Sequence, residues 1–268
     1  MLKLRILTAL VLIPIVILGL FGLSQPYFGG VTAFITLIAA WEWARLGGWT
    51  RHPMRGIYVG LQAVILMGIS FFSVYEHIVV LLGLLLWFLI SGYLVWARTQ
   101  ITLPWISPNV RLTLGFFILT SCWVALQQLQ QQPIYLLVLF LIIWLADSAA
   151  YLGGRLWGKH YLAPLLSPKK TWEGLIFSFS VTFLMVMAFI YMLHGPKPHF
   201  WQVLILVLLT IIASVAGDLF ESQLKRLEKI KDSGQLLPGH GGLLDRVDSL
   251  LSAAPVFAGT FWLLGLFL

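Results

Sequence analysis

Long runs of apolar residues, separated by short polar segments, dominate the chain. An apolar helix needs about 20 residues to cross the hydrocarbon core of a bilayer. The pattern therefore predicts an all-α, polytopic integral membrane protein with about nine transmembrane helices, built as a single membrane-embedded domain over residues 1–268. The predicted spans are residues 6–23, 31–46, 57–73, 78–96, 112–127, 134–152, 172–193, 200–217 and 250–268.

Composition excludes an ordinary soluble protein. Hydrophobic residues make up 60% of the chain and charged residues only 10%, whereas a soluble domain contains about 25% charged residues. The one cysteine, Cys122, lies in an apolar run, so an intrachain disulfide is excluded. We attribute the net charge of +7 to membrane topology and anionic lipid, and not to nucleic acid.

The basic residues predict the orientation. If the N-terminus is cytoplasmic, the predicted spans place every Lys and Arg except Lys197 on the cytoplasmic side. Because an excess of Lys and Arg marks that side, we predict a cytoplasmic N-terminus and a C-terminus outside. A missed span in the middle of the chain would destroy this partition, so its regularity also supports the count.

Acidic residues are concentrated at the same predicted face. Most of the ten Asp and Glu residues lie in or beside two loops that precede the seventh and ninth spans. Carboxylates close to a membrane core are costly and usually functional, so these loops predict a site. The acids concerned are Asp147, Glu173, Asp218, Glu221, Glu228, Asp232, Asp245 and Asp248.

The glycine-rich loop before the last span carries the strongest signal. Gly241 and Gly242 precede a predicted helix, and we expect the first N–H groups of that helix to be free for phosphate.

Asp245 and Asp248 share one face of the helix. They would repel phosphate unless a metal ion lay between them, and Mg²⁺ prefers a few carboxylates plus waters and phosphates. Asp218, just after the eighth span, is a candidate further ligand. An isolated Asp-x-x-Asp pair is usually a charged helix cap, but the glycines, the neighbouring basic residues and Asp218 favour a site here.

A second segment lies before the seventh span. Ser167, Lys169, Lys170 and Thr171 place two ammonium groups and two hydroxyls at the predicted interface. The ammonium groups suit a phosphate from a nucleotide or a lipid headgroup, although positive-inside anchoring also explains them. Asp147, near the end of the sixth span, is either a site acid or half of a structural ion pair. The remaining histidines are interpreted as interface or loop residues: His52, His77, His160, His194 and His199.

The segment from Ser222 to Asp248 resembles the phosphatidate cytidylyltransferase pattern. That pattern has the form S-x-aliphatic-K-R-x4-K-D-x-small-x2-aliphatic-P-x-H-G-G-aliphatic-x-D-R-aliphatic-D, and every fixed position is matched. Residues 147–159, 167–174 and 217–222 resemble companion motifs of the family. In the N-terminal half the resemblance is limited to length, hydropathy and Trp41-Glu42-Trp43.

The resemblance implies an all-helical enzyme of the bacterial cell inner membrane, commonly a homodimer, with its active site facing the cytoplasm. Its reaction converts CTP and phosphatidic acid into CDP-diacylglycerol and diphosphate for phospholipid biosynthesis. The reaction depends on Mg²⁺, and K⁺ is a candidate second cation. Residues 134–268 would form the catalytic half, and residues 1–130 would serve packing and dimerisation.

Resemblance and residue chemistry together give the expected site. The expected metal ligands are Asp218 and Asp245. The expected catalytic residues are Asp218, Ser222, Lys225, Asp245 and Asp248. The expected substrate-binding residues are Asp147, Ser167, Lys169, Lys170, Thr171, Arg226, Lys231, Asp232, His240, Gly241, Gly242 and Arg246.

The expected reaction explains the need for cations. A phosphate monoester has a second pKa near about 6, so its oxygen is charged at neutral pH and needs no activating base. The obstacle is repulsion between this dianion and a triphosphate. Phosphoryl-type transfer is promoted mainly by positioning and charge stabilisation, which fits basic residues and metal-binding aspartates.

Three other functions compete with this one. A CDP-alcohol phosphotransferase needs Asp-Gly and Ala-Arg before two further aspartates, an order that this chain lacks. An enzyme acting on a phosphorylated isoprenoid alcohol would use the same chemistry and stays open. An ion-coupled transporter using Asp147 and Asp218 would keep its charges near the midplane, often in repeated halves. Here the charges gather in loops on one face, and the sequence contains no evident repeat.

A reporter fused to the C-terminus tests the predicted orientation. With the N-terminus inside and nine spans, we expect a reporter that is active only outside the cytoplasm to give a signal. A C-terminal reporter found in the cytoplasm would contradict this orientation.

Overall fold

The computed structural model describes residues 14–97, 106–194, 200–234 and 241–266. Over these ranges the chain forms a helical bundle with one short β-hairpin, so the predicted all-α class is confirmed. The helices are α1 (described over residues 14–22), α2 (Gln25–Leu46), α3 (His52–Phe71), α4 (Glu76–Ala97), α5 (Pro108–Gln130), α6 (Pro133–Trp157), α7 (Trp172–His194), α8 (Phe200–Leu227) and α9 (Leu244–Leu263), with a 3₁₀ turn at Ser73–Tyr75.

Prolines mark the beginning of four helices. Pro26, Pro53, Pro108 and Pro133 lie at the first or second position of α2, α3, α5 and α6, where the missing N–H has no intrahelical partner to lose. Several helices extend beyond the apolar runs that predicted them. As a result Asp218, expected after the eighth span, lies inside α8, and the expected position was wrong.

A β-hairpin fills the connection between α6 and α7, where the sequence predicted only a loop. Strand β1 (Tyr161–Ala163) pairs antiparallel with β2 (Ser167–Thr171). Successive side chains on a strand point to opposite faces. Lys169 and Lys170 therefore diverge, with Lys169 exposed and Lys170 partly buried.

Contacts between helix ends show that consecutive helices alternate in direction. At one end of the bundle, Arg111 at the start of α5 forms an ion pair of 2.6 Å with Glu228, just after α8. At the opposite end, His77 at the start of α4 stacks on Trp262 near the end of α9, with ring centroids 5.6 Å apart. The Lys and Arg residues within the described ranges all lie at or near the first end, which we call the basic end.

The membrane character of the bundle is confirmed. Among the described residues, six helices are long and apolar enough to cross a membrane: α3, α4, α5, α6, residues Trp172–Met192 of α7, and α8. Helices α2 and α9, of 22 and 20 residues, are not among these six. The total of nine spans and the sides of the two termini therefore stay predictions.

Helix α5 lies at the centre of the packing. The Trp43 indole donates to the Arg111 carbonyl over 2.9 Å, and the Tyr58 hydroxyl donates to the Leu112 carbonyl over 2.8 Å. Both aromatic rings lie over Gly115, where a Cβ atom would overlap the Trp43 Nε1 and the Tyr58 hydroxyl. A glycine at this position allows α2 and α3 to approach α5 closely.

Substituting Gly115 tests this packing. Gly115→Ala should lower stability by about 1–3 kcal/mol, because an added methyl overpacks a filled core. Gly60→Ala in α3 is the matched control: no atom lies within 4 Å of its added Cβ, and the better helix propensity should add up to about 1 kcal/mol. Thermal unfolding midpoints in detergent measure both. Equal midpoints for the two variants would contradict the packing role of Gly115.

Candidate active site

Three aspartates from three helices meet at the basic end. Lys170 on β2 places its Nζ 2.6 Å from Asp218 Oδ2 on α8. Asp147 on α6 and Asp248 on α9 are electrostatic neighbours of Asp218. We call these four residues the aspartate group. The sequence predicted each of them as a site residue, and the fold brings them together.

A second ionic group lies beside the first, between α8 and α9. Lys225 places its Nζ 2.7 Å from Asp245 Oδ1 and 3.3 Å from Glu221 Oε1. These three side chains are buried or nearly so. Lys225 is also an electrostatic neighbour of Asp248, so the two groups form one continuous ionic site.

Helix periodicity explains this alignment. Asp218, Ser222 and Lys225 recur at intervals of about one turn and share one face of α8. The Ser222 hydroxyl donates to Asp218 Oδ1 over 3.3 Å. Gly217 allows α9 to approach this face, because a Cβ there would lie 2.5 Å from the Asp248 carbonyl oxygen. The acids of the two helices are therefore side by side.

The start of α9 differs from the sequence expectation of free amides. The Gly242 N–H donates to Asp245 Oδ2 over 2.8 Å. The N–H groups of Leu243 and Leu244 donate to the two carboxylate oxygens of Glu42, over 3.1 and 2.7 Å. The prediction of free N–H groups was therefore wrong for these three residues, because carboxylates already satisfy the helix N-terminus.

The other predicted substrate-binding residues surround the ionic site. Thr171 is buried, and its hydroxyl oxygen accepts the Gly174 N–H over 3.2 Å, so it caps the start of α7. Ser167 lies in β2 opposite Ala163. His240 lies outside the described residues, and Gly241 adopts a φ of 83°. The exposed members of the set are Lys169, Arg226, Lys231, Asp232 and Arg246.

The contacts of Glu42 and Glu173 were not predicted from the sequence. Glu42, on α2 in the N-terminal half, reaches the loop before α9 and is buried there. Glu173 accepts the backbone N–H of Lys159 over 3.1 Å and lies 2.6 Å from the Nδ1 of His160, which joins the end of α6 to the start of α7. A carboxylate at the end of an apolar run was the available signal for Glu42.

An apolar groove lies between α4, α7 and α8. Its volume is about 580 Å³, and its lining is almost entirely hydrophobic. Ala216 and Leu219 on α8 line the groove and are close to Asp218 in the chain, and Ala163 and Trp172 lie in or next to the hairpin that carries Lys170. The groove and the ionic site therefore share helix α8 and the hairpin.

The carboxylates offer ligand chemistry that suits a hard cation. Mg²⁺ needs only one or two carboxylates when waters and substrate phosphates supply its other ligands. Within the described residues, no cluster of three or more His, Cys, Asp or Glu side chains is arranged for a metal. In the structure Asp218 and Asp245 each carry a lysine ammonium group as counter-ion.

Comparisons with known proteins show the family. The model of the cytidylyltransferase family matches residues 3–264. The chain is 37% identical to a phosphatidate cytidylyltransferase of Pseudomonas aeruginosa, over 99% of this chain and 98% of the relative. It is 32% identical to the Haemophilus influenzae protein of the same name, over 96% and 98%. A Staphylococcus aureus protein of that name is 43% identical over 46% of each chain. The chain therefore belongs to the cytidylyltransferase family, among the phosphatidate cytidylyltransferases.

Proposed function

We propose that this protein transfers the CMP moiety of CTP to phosphatidic acid, giving CDP-diacylglycerol and diphosphate for phospholipid biosynthesis. One observation carries the proposal. Helix α8 and the β-hairpin carry both acidic and basic groups suited to phosphates and a cation and residues that line an apolar groove suited to acyl chains. Two substrates, one a soluble polyanion and the other a membrane lipid, can meet only at such a boundary. The names of the relatives support the same reaction.

The basic side chains reduce the electrostatic repulsion between the two negatively charged substrates. The phosphate of phosphatidic acid attacks the α-phosphorus of CTP, and the bond to the diphosphate breaks. Lys170 and Lys225 point ammonium groups into the ionic site, where charge-assisted hydrogen bonds to phosphate oxygens are strong. The exposed Arg226 and Arg246 extend positive potential around it.

Asp218 and Asp245 are the proposed Mg²⁺ ligands, and K⁺ is the proposed second cation. A bound Mg²⁺ supplies charge stabilisation for the CTP phosphates and the departing diphosphate. Asp248 is an electrostatic neighbour of Asp218, and a cation bound there would favour the ionised form of both carboxyl groups. Ser222 orients the Asp218 carboxylate through its hydrogen bond.

The proposed membrane arrangement follows the alternation of the helices. With nine spans, a cytoplasmic N-terminus and an external C-terminus, the basic end faces the cytoplasm, which contains CTP. The membrane is the bacterial inner membrane. A homodimer is proposed from the family resemblance alone.

An assay of the purified protein in detergent tests the reaction. We expect release of diphosphate and formation of a CDP-lipid only when CTP and phosphatidic acid are both present. Removal of Mg²⁺ by a chelator should stop turnover, and added Mg²⁺ should restore it. A prenyl phosphate acceptor should give no product. Product formation from prenyl phosphate alone would overturn the proposed lipid substrate in favour of an isoprenoid one.

Asp245→Asn tests the metal role in the same assay. We expect loss of turnover in a protein that stays folded and inserted, because an amide is a poor Mg²⁺ ligand. Near-normal activity of this variant at saturating Mg²⁺ would remove Asp245 from the proposed role.

Two adjacent lysines on β2 provide a test variant, at Lys170, and its matched control, at Lys169. Lys170→Met should lower kcat/KM at least about tenfold, the effect of losing a hydrogen bond to a charged group. Lys169→Met should cost no more than about threefold, because Lys169 is exposed on the opposite face of the strand. Equal losses in the two variants would contradict a specific role for Lys170.

A further inference from the structure

The loop before α9 rests on a carboxylate from the other half of the chain. Glu42 of α2 is only 3% exposed. Its Oε1 accepts the Leu243 N–H over 3.1 Å, and its Oε2 accepts the Leu244 N–H over 2.7 Å. The Ser233 hydroxyl lies 3.0 Å from the same Oε2. Since its two oxygens are engaged by three donors, Glu42 is a structural acceptor and not a free ligand for a cation.

Ser233 connects Glu42 to Asp245. The Ser233 hydroxyl lies 3.0 Å from Glu42 Oε2 and 2.9 Å from Asp245 Oδ2. A hydroxyl has one hydrogen to donate, so the two carboxylates share it. The Ser233 N–H also donates to Asp245 Oδ2, over 3.0 Å. The position of the Glu42 carboxylate therefore decides how strongly Ser233 engages Asp245.

Two glycine residues allow the loop backbone to approach the Glu42 carboxylate closely. A Cβ on Gly234 would overlap Glu42 Oε1, and a Cβ on Gly242 would lie 2.5 Å from Glu42 Oε2. Gly234 is the position at which the motif in residues 222–248 requires a small residue. This packing restricts the position of the Glu42 carboxylate, and the carboxylate in turn restricts the position of the loop.

From this geometry we infer that Glu42 is a positioning residue of the cytidylyl-transfer site. It holds Ser233, Gly242, Leu243 and Leu244 so that the Asp245 carboxylate faces Lys225 and the substrates. The inference rests on the proposed function. Because Glu42 is not among the residues that line the apolar groove and its oxygens are engaged by the loop, its loss should act on kcat and leave the KM for phosphatidic acid almost unchanged.

Two variants and their combination test this role. Glu42→Gln should lower kcat about tenfold or more, because the amide turns N–H donors towards donors of the loop. Ser233→Ala should lower kcat about fivefold. The double variant should lose about as much as Glu42→Gln alone, since both changes remove the same link to Asp245 and effects that share one network do not add. The KM for phosphatidic acid should change by less than about twofold.

Glu228→Gln is the matched control. It makes the same chemical change at another acid that joins the two halves of the chain, through its 2.6 Å pair with Arg111. It should lower the thermal unfolding midpoint, because it weakens a largely buried ion pair, and keep kcat within about twofold of the wild type. If kcat falls in the Glu42 and Ser233 variants but not in Glu228→Gln, the loss of activity comes from positioning and not from a general loss of stability.

The possible outcomes separate the inference from the reaction itself. A wild-type protein without CTP-dependent and phosphatidate-dependent diphosphate release overturns the proposed function and the role of Glu42 together. An active wild type with multiplicative effects in the double variant, or with Ser233→Ala within twofold of wild-type kcat, overturns only the role of Glu42. Where Glu42→Gln fails to fold, a Ser233→Ala variant within twofold of wild-type kcat still overturns the role of Glu42, because the link from Glu42 to Asp245 runs through that hydroxyl.

Discussion

The charge balance around Lys225 is the interaction on which the arrangement of the basic end depends. Its ammonium group lies between Asp245 on α9 and Glu221 one turn earlier on α8. Glu221 is 2% exposed, and its oxygens have no hydrogen-bond partner among the described residues. A buried carboxylate without a counter-charge is strongly destabilising, so α8 and α9 can pack in this register only with the lysine between them. The same pairing aligns the acids that give the site its chemistry.

Ionic and hydrogen-bonding contacts also join the two halves of the chain at that end. Arg111 pairs with Glu228, and Glu42 caps the start of α9. Residues 1–130 were expected to serve packing and dimerisation, and their helices also supply Arg111 to an ion pair and Glu42 to the loop before α9. An active site at a membrane surface cannot rely on hydrophobic packing for its loops, because these lie in the polar layer. Buried polar contacts from neighbouring helices provide the order instead.

The sequence predicted the helical class, the alternation of the helices and most members of the ionic site, because apolar run length and acidic clustering are local signals. It placed Asp218 after its helix because hydropathy ends where charges begin, although the backbone hydrogen bonds of α8 continue to Leu227. The hydrogen-bond acceptors of the Gly242 and Leu244 N–H groups could not be predicted from the spacing of residues in the sequence. Their acceptors come from Asp245, close in sequence, and from Glu42, about 200 residues away, and only the packing of α2 against α9 brings Glu42 there. The hairpin was missed because its strands are three and five residues long.

The contact at Gly217 has a consequence for how this site tolerates change. The separation of the two acidic helices is limited there, since a Cβ on the glycine of α8 would overlap the Ser252 hydroxyl and the Asp248 carbonyl oxygen of α9. Side chains elsewhere in the bundle can be exchanged for others of similar volume without altering that distance. The close approach of the two acidic helices therefore depends on a residue with no side chain, whereas residues on the lipid-facing surface can be substituted more freely.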